Sequence, residues 1–216
     1  MECFAASILV VVTVAALAAI THVWLESKSY VFEAQDIVAI TEKAVSRGYG
    51  HKETFQEVEQ ELRARYGGRI LPNPEWLFIN CGGWMGGMYI LHSSLTEYVL
   101  FFGTAIGSSG HSGRYWANIS DTVIEGEYTR WPEGTTDAIK FETGDTIYHV
   151  PGEVAAVHWS PKTWMVEYGR GFVPSTLVFA LADTLFSTTD FVNLYKIIKV
   201  YTIGIMHEFS NNIFGV

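Results

Sequence analysis

Two carboxylates interrupt otherwise apolar stripes in this chain. Glu167 lies within TWMVEY, residues 163–168, where the period-two alternation of a strand puts it on one face with Met165. Asp121 lies within ANISDTV, residues 117–123, and shares its face with Ala117, Ile119 and Val123. Burying a lone ionised carboxylate costs several kcal/mol, or lifts its pKa until it keeps its proton. Two such groups facing one cavity share a proton and titrate as a pair. A protonated Asp121 donating to an ionised Glu167 leaves one negative charge in an oily site, which suits a lone ammonium flanked by apolar bulk. Alternatively each carboxylate caps a turn or pairs with a nearby arginine, Arg170 or Arg114. Spacing alone leaves these alternatives open.

Aromatic and aliphatic side chains surround these positions in sequence. Tyr98, Leu100 and Phe102 fall on one strand face, while Trp84, Met88 and Trp159 come from neighbouring runs. A plain hydrophobic core accounts for such a stripe, whereas a ring beside a desolvated amine adds about 0.5–2 kcal/mol of cation–π attraction. Metal chemistry lacks its ligands. His149 and His158 lie nine residues apart, His111 and His92 stand alone, and no His-x-His pair exists. These histidines are expected as satisfied core or surface groups, and no cofactor is expected. Cys3 and Cys81 form neither a C-x-x-C motif nor a disulfide framework.

Composition narrows the setting. Charged residues make up 17 % of the chain, against roughly 25 % in a typical soluble domain. The net charge is −9 with no basic stripe, which excludes a phosphate backbone as partner. Residues 4–25 contain no Asp, Glu, Lys or Arg. At about 1.5 Å per residue they cross a hydrocarbon core of about 30 Å. A cleaved signal peptide has a core of about 7–15 residues preceded by a positive charge, and this run is longer and has none. A single-pass anchor is therefore expected over residues 1–30. Glu2, Glu26 and Lys28 give the positive-inside rule almost nothing to count, so orientation stays open.

Residues 31–216 read as one ligand-binding domain. Over 31–70, Ile37, Ile40 and Ala44 mark one amphipathic helix, and Phe55, Val58, Leu62 and Tyr66 mark another that ends at Gly67-Gly68. Over 71–175, the runs WLFINC, EYVLFFG, WANISDTVI, GEYTRW, TIYHV, VAAVHW and TWMVEYG are predicted strands of a sandwich or small barrel. Over 176–216 the pattern turns helical, with Phe191, Leu194, Tyr195, Ile198, Tyr201, Ile205 and Phe209 repeating along the last helix. Lys196 and Lys199 oppose a transmembrane reading of it, so these helices close a core or lie in a membrane interface. The paired Gly82-x-x-x-Gly86 and Gly83-x-x-x-Gly87 are expected at a turn or bulge. Asn118-Ile119-Ser120 is a glycosylation sequon whose asparagine points away from Asp121.

The stretches GGWMG (82–86), SLTEYVLFFGTAIGSSGHSGRYW (94–116), ISDT (119–122), EGTT (133–136), TWMVEYGRG (163–171) and PSTLVFALADTLFST (174–188) resemble the sigma-one receptor family, which includes the fungal sterol C8–C7 isomerases. The resemblance implies a mainly β fold with flanking helices: a cupin-like β-barrel on one N-terminal transmembrane helix, with two C-terminal membrane-facing helices, assembled as a trimer. It implies that Glu167 and Asp121 are a ligand's anionic partners, that Tyr98 hydrogen-bonds Glu167, and that Leu177, Ala180 and Tyr201 close the mouth. It further implies that the glycine-rich 82–87 segment helps subunits approach, and that the chain is a ligand-regulated receptor and chaperone rather than an enzyme. The ligands would be cationic amphiphilic amines and steroid-like molecules. The location would be the endoplasmic reticulum membrane, with the nuclear envelope and lipid droplets as further sites. Partners would be membrane lipids, channels and chaperones. Sterol C8–C7 isomerisation by Glu167 and Asp121 is the competing expectation. The arginine pair that family members often carry near the N-terminus is missing from MECFAAS.

Overall fold

A computed structural model describes residues 2–214, with side chains from residue 6 onward. The chain forms two compact units, Met1–Val31 and Phe32–Val216. The first is built on α1 (Glu2–Ser27). Within it Ala6–Ser27 is long and apolar enough to cross a membrane, with a mean hydropathy of 2.4. Leu9, Val11, Leu17 and Ile20 are all exposed, so this helix turns no polar face to water. The expectation placed on Cys3 lies outside the described side chains.

The second unit is mainly β with flanking helices. Its larger sheet runs in the order β1 (Trp76–Cys81), β2 (Trp84–Ser93), β3 (Glu97–Thr104), β10 (Thr163–Gly171), β5 (Ala117–Glu125) and β8 (Thr146–His149). Its smaller sheet runs β4 (Ser108–His111), β9 (Ala155–Trp159), β6 (Glu127–Pro132) and β7 (Ile139–Glu142). The pairings are antiparallel. The inner faces meet through aromatic rings: Trp84, Phe102 and Tyr128 each lie 5.3 Å, centroid to centroid, from Trp159. A cluster of inward residues from both sheets, among them Ile79, Met88, Val123 and Met165, forms the core.

The outer face of the larger sheet is covered by α2 (Ala34–Val45) and α3 (His51–Tyr66). Phe55 of α3 stacks on Phe101 of β3 at 4.3 Å and meets Trp164 of β10 edge-on at 6.0 Å. With both faces covered, every residue of β3 is buried, so its sequence shows no alternation. α4 (Pro174–Phe186) and α5 (Phe191–Phe214) pack on the β1–β2 side.

Three strands go beyond the predicted set. Where a turn or bulge is expected, β2 runs through Gly86 and Gly87, because β1 and β3 pair with it on either side. The turn itself is Gly82-Gly83, with φ of +59° and +85°, closing a two-residue hairpin of the kind that needs positive φ twice. β4 and β7 are four-residue strands with little apolar signal. The stripe expected along α5 is also turned round. Phe191, Tyr195, Ile198 and Phe209 face outward, and of that set only Tyr201 is buried. The inward face carries Asn193, Ile197, Val200, Gly204, Glu208 and Asn211. Its polar members find partners: Asn193 donates to the Phe78 carbonyl at 2.8 Å, Asn211 to the Gly68 carbonyl at 2.8 Å, and Arg69 to Glu208 at 2.8 Å.

Candidate functional site: a carboxyl pair on the inner face of a β-sheet

β10 sits between β3 and β5, and its register sets the site. Glu167 is directly opposite Leu100 on one side and Asp121 on the other, and Asp121 in turn is opposite Ile147 of β8. The two carboxylates are therefore cross-strand neighbours, a placement that brings Cβ atoms to about 4.5–5.5 Å. Neither pairs with an arginine of the kind considered from spacing. Arg114 instead bonds Glu133 and the Gly152 carbonyl, each at 2.7 Å.

Each carboxyl has its own partner, reached diagonally across the sheet. The Tyr98 hydroxyl donates to Glu167 Oε1 at 2.6 Å. Tyr98 is paired with Gly169, two residues along β10 from Glu167, so its ring must lie over Gly169 to reach that oxygen. A Cβ at 169 would stand 2.3 Å from the Tyr98 ring, so glycine is the residue that leaves the path open. On the other side, His149 Nε2 lies 2.9 Å from Asp121 Oδ2. Asp121 Oδ1 is buried and has no hydrogen-bond partner among the described residues. The expected donation from Asp121 to Glu167 is thus absent. A histidine and a tyrosine, one per carboxyl, take its place, both long enough to reach a diagonal neighbour across the sheet.

The electrostatics follow from depth. Burial raises the Glu167 pKa from 4.5 to about 8, the nearby Asp121 charge adds to the rise, and the Tyr98 hydrogen bond opposes it. Glu167 keeps some accessible surface because it lines a cavity, and its distance from bulk water still makes ionisation costly. Burial, then the Glu167 charge and the hydrogen bond to it, push the Tyr98 hydroxyl well above its usual range. Burial also pushes the Cys81 thiol up, which keeps it a poor nucleophile.

The cavity is about 130 Å³. Of the residues expected at a site, Glu167, Asp121, Tyr98, Trp84, Met88, Leu100, Phe102, Ile119, Trp159, Ala180 and Tyr201 all line it. Leu177 does not line it and instead packs against the surrounding core from α4. Sequence reasoning overlooked His149, Glu153, Tyr115 and Tyr128, which also line the cavity. A signal existed for two of them. Alternation in TIYHV puts His149 on the face of Ile147, and alternation in GEYTRW puts Tyr128 with Arg130. Arg130 forms an ion pair with Glu153, whose carboxylate also accepts from the Val150 amide at 3.2 Å. Thr176 and Ala180 of α4 and Tyr201 of α5 also line the cavity. Among the described residues no group of three or more His, Cys, Asp and Glu side chains could hold a metal.

A family model described as ERG2 and Sigma1 receptor like protein matches residues 7–212. The sigma non-opioid intracellular receptor 1 of Danio rerio is 53 % identical over 189 residues, 87 % of this chain and 84 % of that protein. The C-8 sterol isomerase of Neurospora crassa is 37 % identical over 186 residues, 85 % of this chain and 72 % of that protein. Among solved structures, an RmlC-like cupin from Shewanella frigidimarina is similar with a TM-score of 0.38 and 17 % identity, over 46 % of this chain and 85 % of that one. The family match spans nearly the full length, taking in the sheet that carries Glu167, Asp121 and Tyr98: this chain belongs to the ERG2 and Sigma1 receptor like protein family.

Proposed function

We propose that this chain is a ligand-regulated membrane receptor whose cavity takes a cationic amphiphilic amine or a steroid-like molecule. The observation that carries this is a pair of cross-strand carboxyls, Glu167 and Asp121, at the wall of a cavity otherwise lined by aromatic and aliphatic groups. An ammonium placed there replaces the proton of Glu167, while Trp84, Phe102 and Trp159 enclose its apolar body. Drug-sized ligands occupy sites of about 300–1,000 Å³. The cavity is smaller, so entry requires its lining to move, and Thr176, Ala180 and Tyr201 are the lining residues that the terminal helices supply.

Homology to receptors supports a receptor role, and the apolar Ala6–Ser27 helix is consistent with a single-pass membrane protein. On the same reading the chain resides in the endoplasmic reticulum membrane and assembles as a homo-oligomer, a trimer. It acts as a chaperone on channels, other chaperones and lipid handling, with no chemistry of its own. The test is equilibrium binding of a labelled amine to purified wild type and Glu167→Gln. Loss of binding with an unchanged circular dichroism spectrum is expected, and retained affinity would sink the reading.

A second reading is favoured by one observation. Glu167, with a pKa of about 8, holds a proton at neutral pH beside a second carboxyl, which is the equipment of an acid–base isomerase. The kinship with a C-8 sterol isomerase fits it. A Δ8-sterol incubated with the pure protein gives Δ7 product if this is the activity. The higher identity to receptors places it second.

A further inference from the structure

We propose that Asn118 is an acceptor for N-linked glycosylation, which puts the second unit of this chain on the lumenal side of its membrane. Asn118-Ile119-Ser120 is the only Asn-x-Ser/Thr sequence in the chain. Such a motif by itself is weak, and three features of the fold strengthen it.

First, Asn118 faces outward. It is exposed on β5, while Ala117, Ile119 and Asp121 are buried on the cavity side. Second, its side chain makes no hydrogen bond among the described residues, so a sugar on its amide displaces nothing. Third, the order of synthesis leaves the motif open for long enough. In the finished fold Ile119 is 7 % and Ser120 4 % exposed, so a transferase could not thread this strand after folding. Both strands that flank β5, β8 and β10, come later in the chain, and Asn118 waits for Arg170 as Ser120 waits for Tyr168. At roughly 5–20 residues per second of synthesis, β5 spends seconds unpaired as the chain emerges. A local hairpin would have closed the motif at once, whereas this non-local pairing delays it. The consequence for assembly is direct: a hydrated glycan beside the exposed Trp116 keeps another subunit off that face, so any subunit seam uses a different one.

The test is expression of the full chain in cultured animal cells, followed by endoglycosidase H treatment and gel mobility. The wild type is expected to run one glycan step high and to drop after digestion, and Asn118→Gln to run low from the start. A control reports the side of the membrane independently. Gly134 has φ +80°, open space where a Cβ would stand, and Thr135-Thr136 after it in an exposed turn, so Gly134→Asn in the Asn118→Gln background creates a second sequon there. Asparagine tolerates that backbone conformation. If the control is glycosylated while the wild type is not, the body is lumenal and the assignment of Asn118 is wrong. If neither is glycosylated, the lumenal placement fails as well. Neither result touches the amine-binding reading, which the Glu167→Gln measurement decides separately.

Discussion

At the scale of single residues, the site is a proton-holding problem solved by two neighbours. Glu167 is raised to about 8 by burial and the Asp121 charge, against 4.5 when unfolded. The native state therefore holds a proton that the unfolded state has released above about 4.5. This contribution to stability is full below that pH and is lost as pH rises toward about 8. Glu167→Gln, which cannot ionise, is expected to flatten the fall in melting temperature across that window. Affinity for a quaternary ammonium probe, whose charge is fixed, is expected to rise through pH 8 as Glu167 ionises; a flat profile would dissociate Glu167 from binding. Tyr98→Phe removes a hydrogen bond to the charged form, worth about 1.5–3 kcal/mol, so about tenfold or greater loss of affinity is expected. Gly169→Ala should reproduce that loss with both polar side chains retained, because its Cβ displaces the Tyr98 ring and hydroxyl. Both carboxyls stand out in the sequence, since a charge on an apolar stripe is a local signal, whereas the bond from Tyr98 to Glu167 is implied by the family resemblance alone. The role of His149 does not stand out. Its approach to Asp121 depends on β8 pairing with β5, a register that no spacing within either strand contains.

At the scale of elements, the link between site and surface runs along α5. Gly204 packs so close to β2 that a Cβ there would stand 1.8 Å from Ser93 Oγ. Tyr201, one turn earlier on the same buried face, lines the cavity. Gly204→Ala turns the Ser93 hydroxyl aside and presses on its carbonyl and Cβ at 3.0 and 3.1 Å, which drives the helix outward, and overpacking of this kind costs about 1–3 kcal/mol. Lower melting temperature and several-fold weaker amine binding are expected together. Ser93→Ala, which removes the obstructing oxygen, should restore part of both in the double variant; failure to do so would show that α5 and the cavity are not coupled there. The strands with alternating or aromatic-rich runs were legible, and so were both amphipathic helices over the outer face. β2, β4 and β7 were hidden because their pairing partners, rather than their own residues, make them strands. The inward face of α5 was hidden for a different reason. Most of its large apolar side chains point outward while Asn193, Glu208 and Asn211 point inward beside Ile197, Val200 and Tyr201, so the usual inference from hydrophobic stripe to buried face misleads here.

At the scale of the whole molecule, that inversion has a physical requirement. Val178, Phe186, Phe191, Val192, Tyr195, Met206 and Phe209 on α4 and α5 are 62–81 % exposed, while Asn193, Glu208 and Asn211 are buried. Scattered apolar exposure is ordinary, but a run of large side chains along two adjacent helices calls for an apolar environment. Fully burying one such side chain contributes about 1.5–3 kcal/mol, so several together hold a protein to a bilayer surface without any spanning segment. Lys196 and Lys199 are exposed on the same helix, where their long stems can reach a headgroup layer. The second unit alone, residues 32–216, is therefore expected to float with neutral lipid vesicles in a density gradient. It should resist removal by high salt, because an apolar contact is not screened as an ionic one is. Replacing Phe186, Phe191, Tyr195 and Phe209 by serine should release it into the soluble fraction while leaving amine binding in detergent near wild type, since none of the four lines the cavity. If the serine variant floats as well as the parent, some other surface of residues 32–216 holds the vesicle, and this face of α4 and α5 is not the lipid contact.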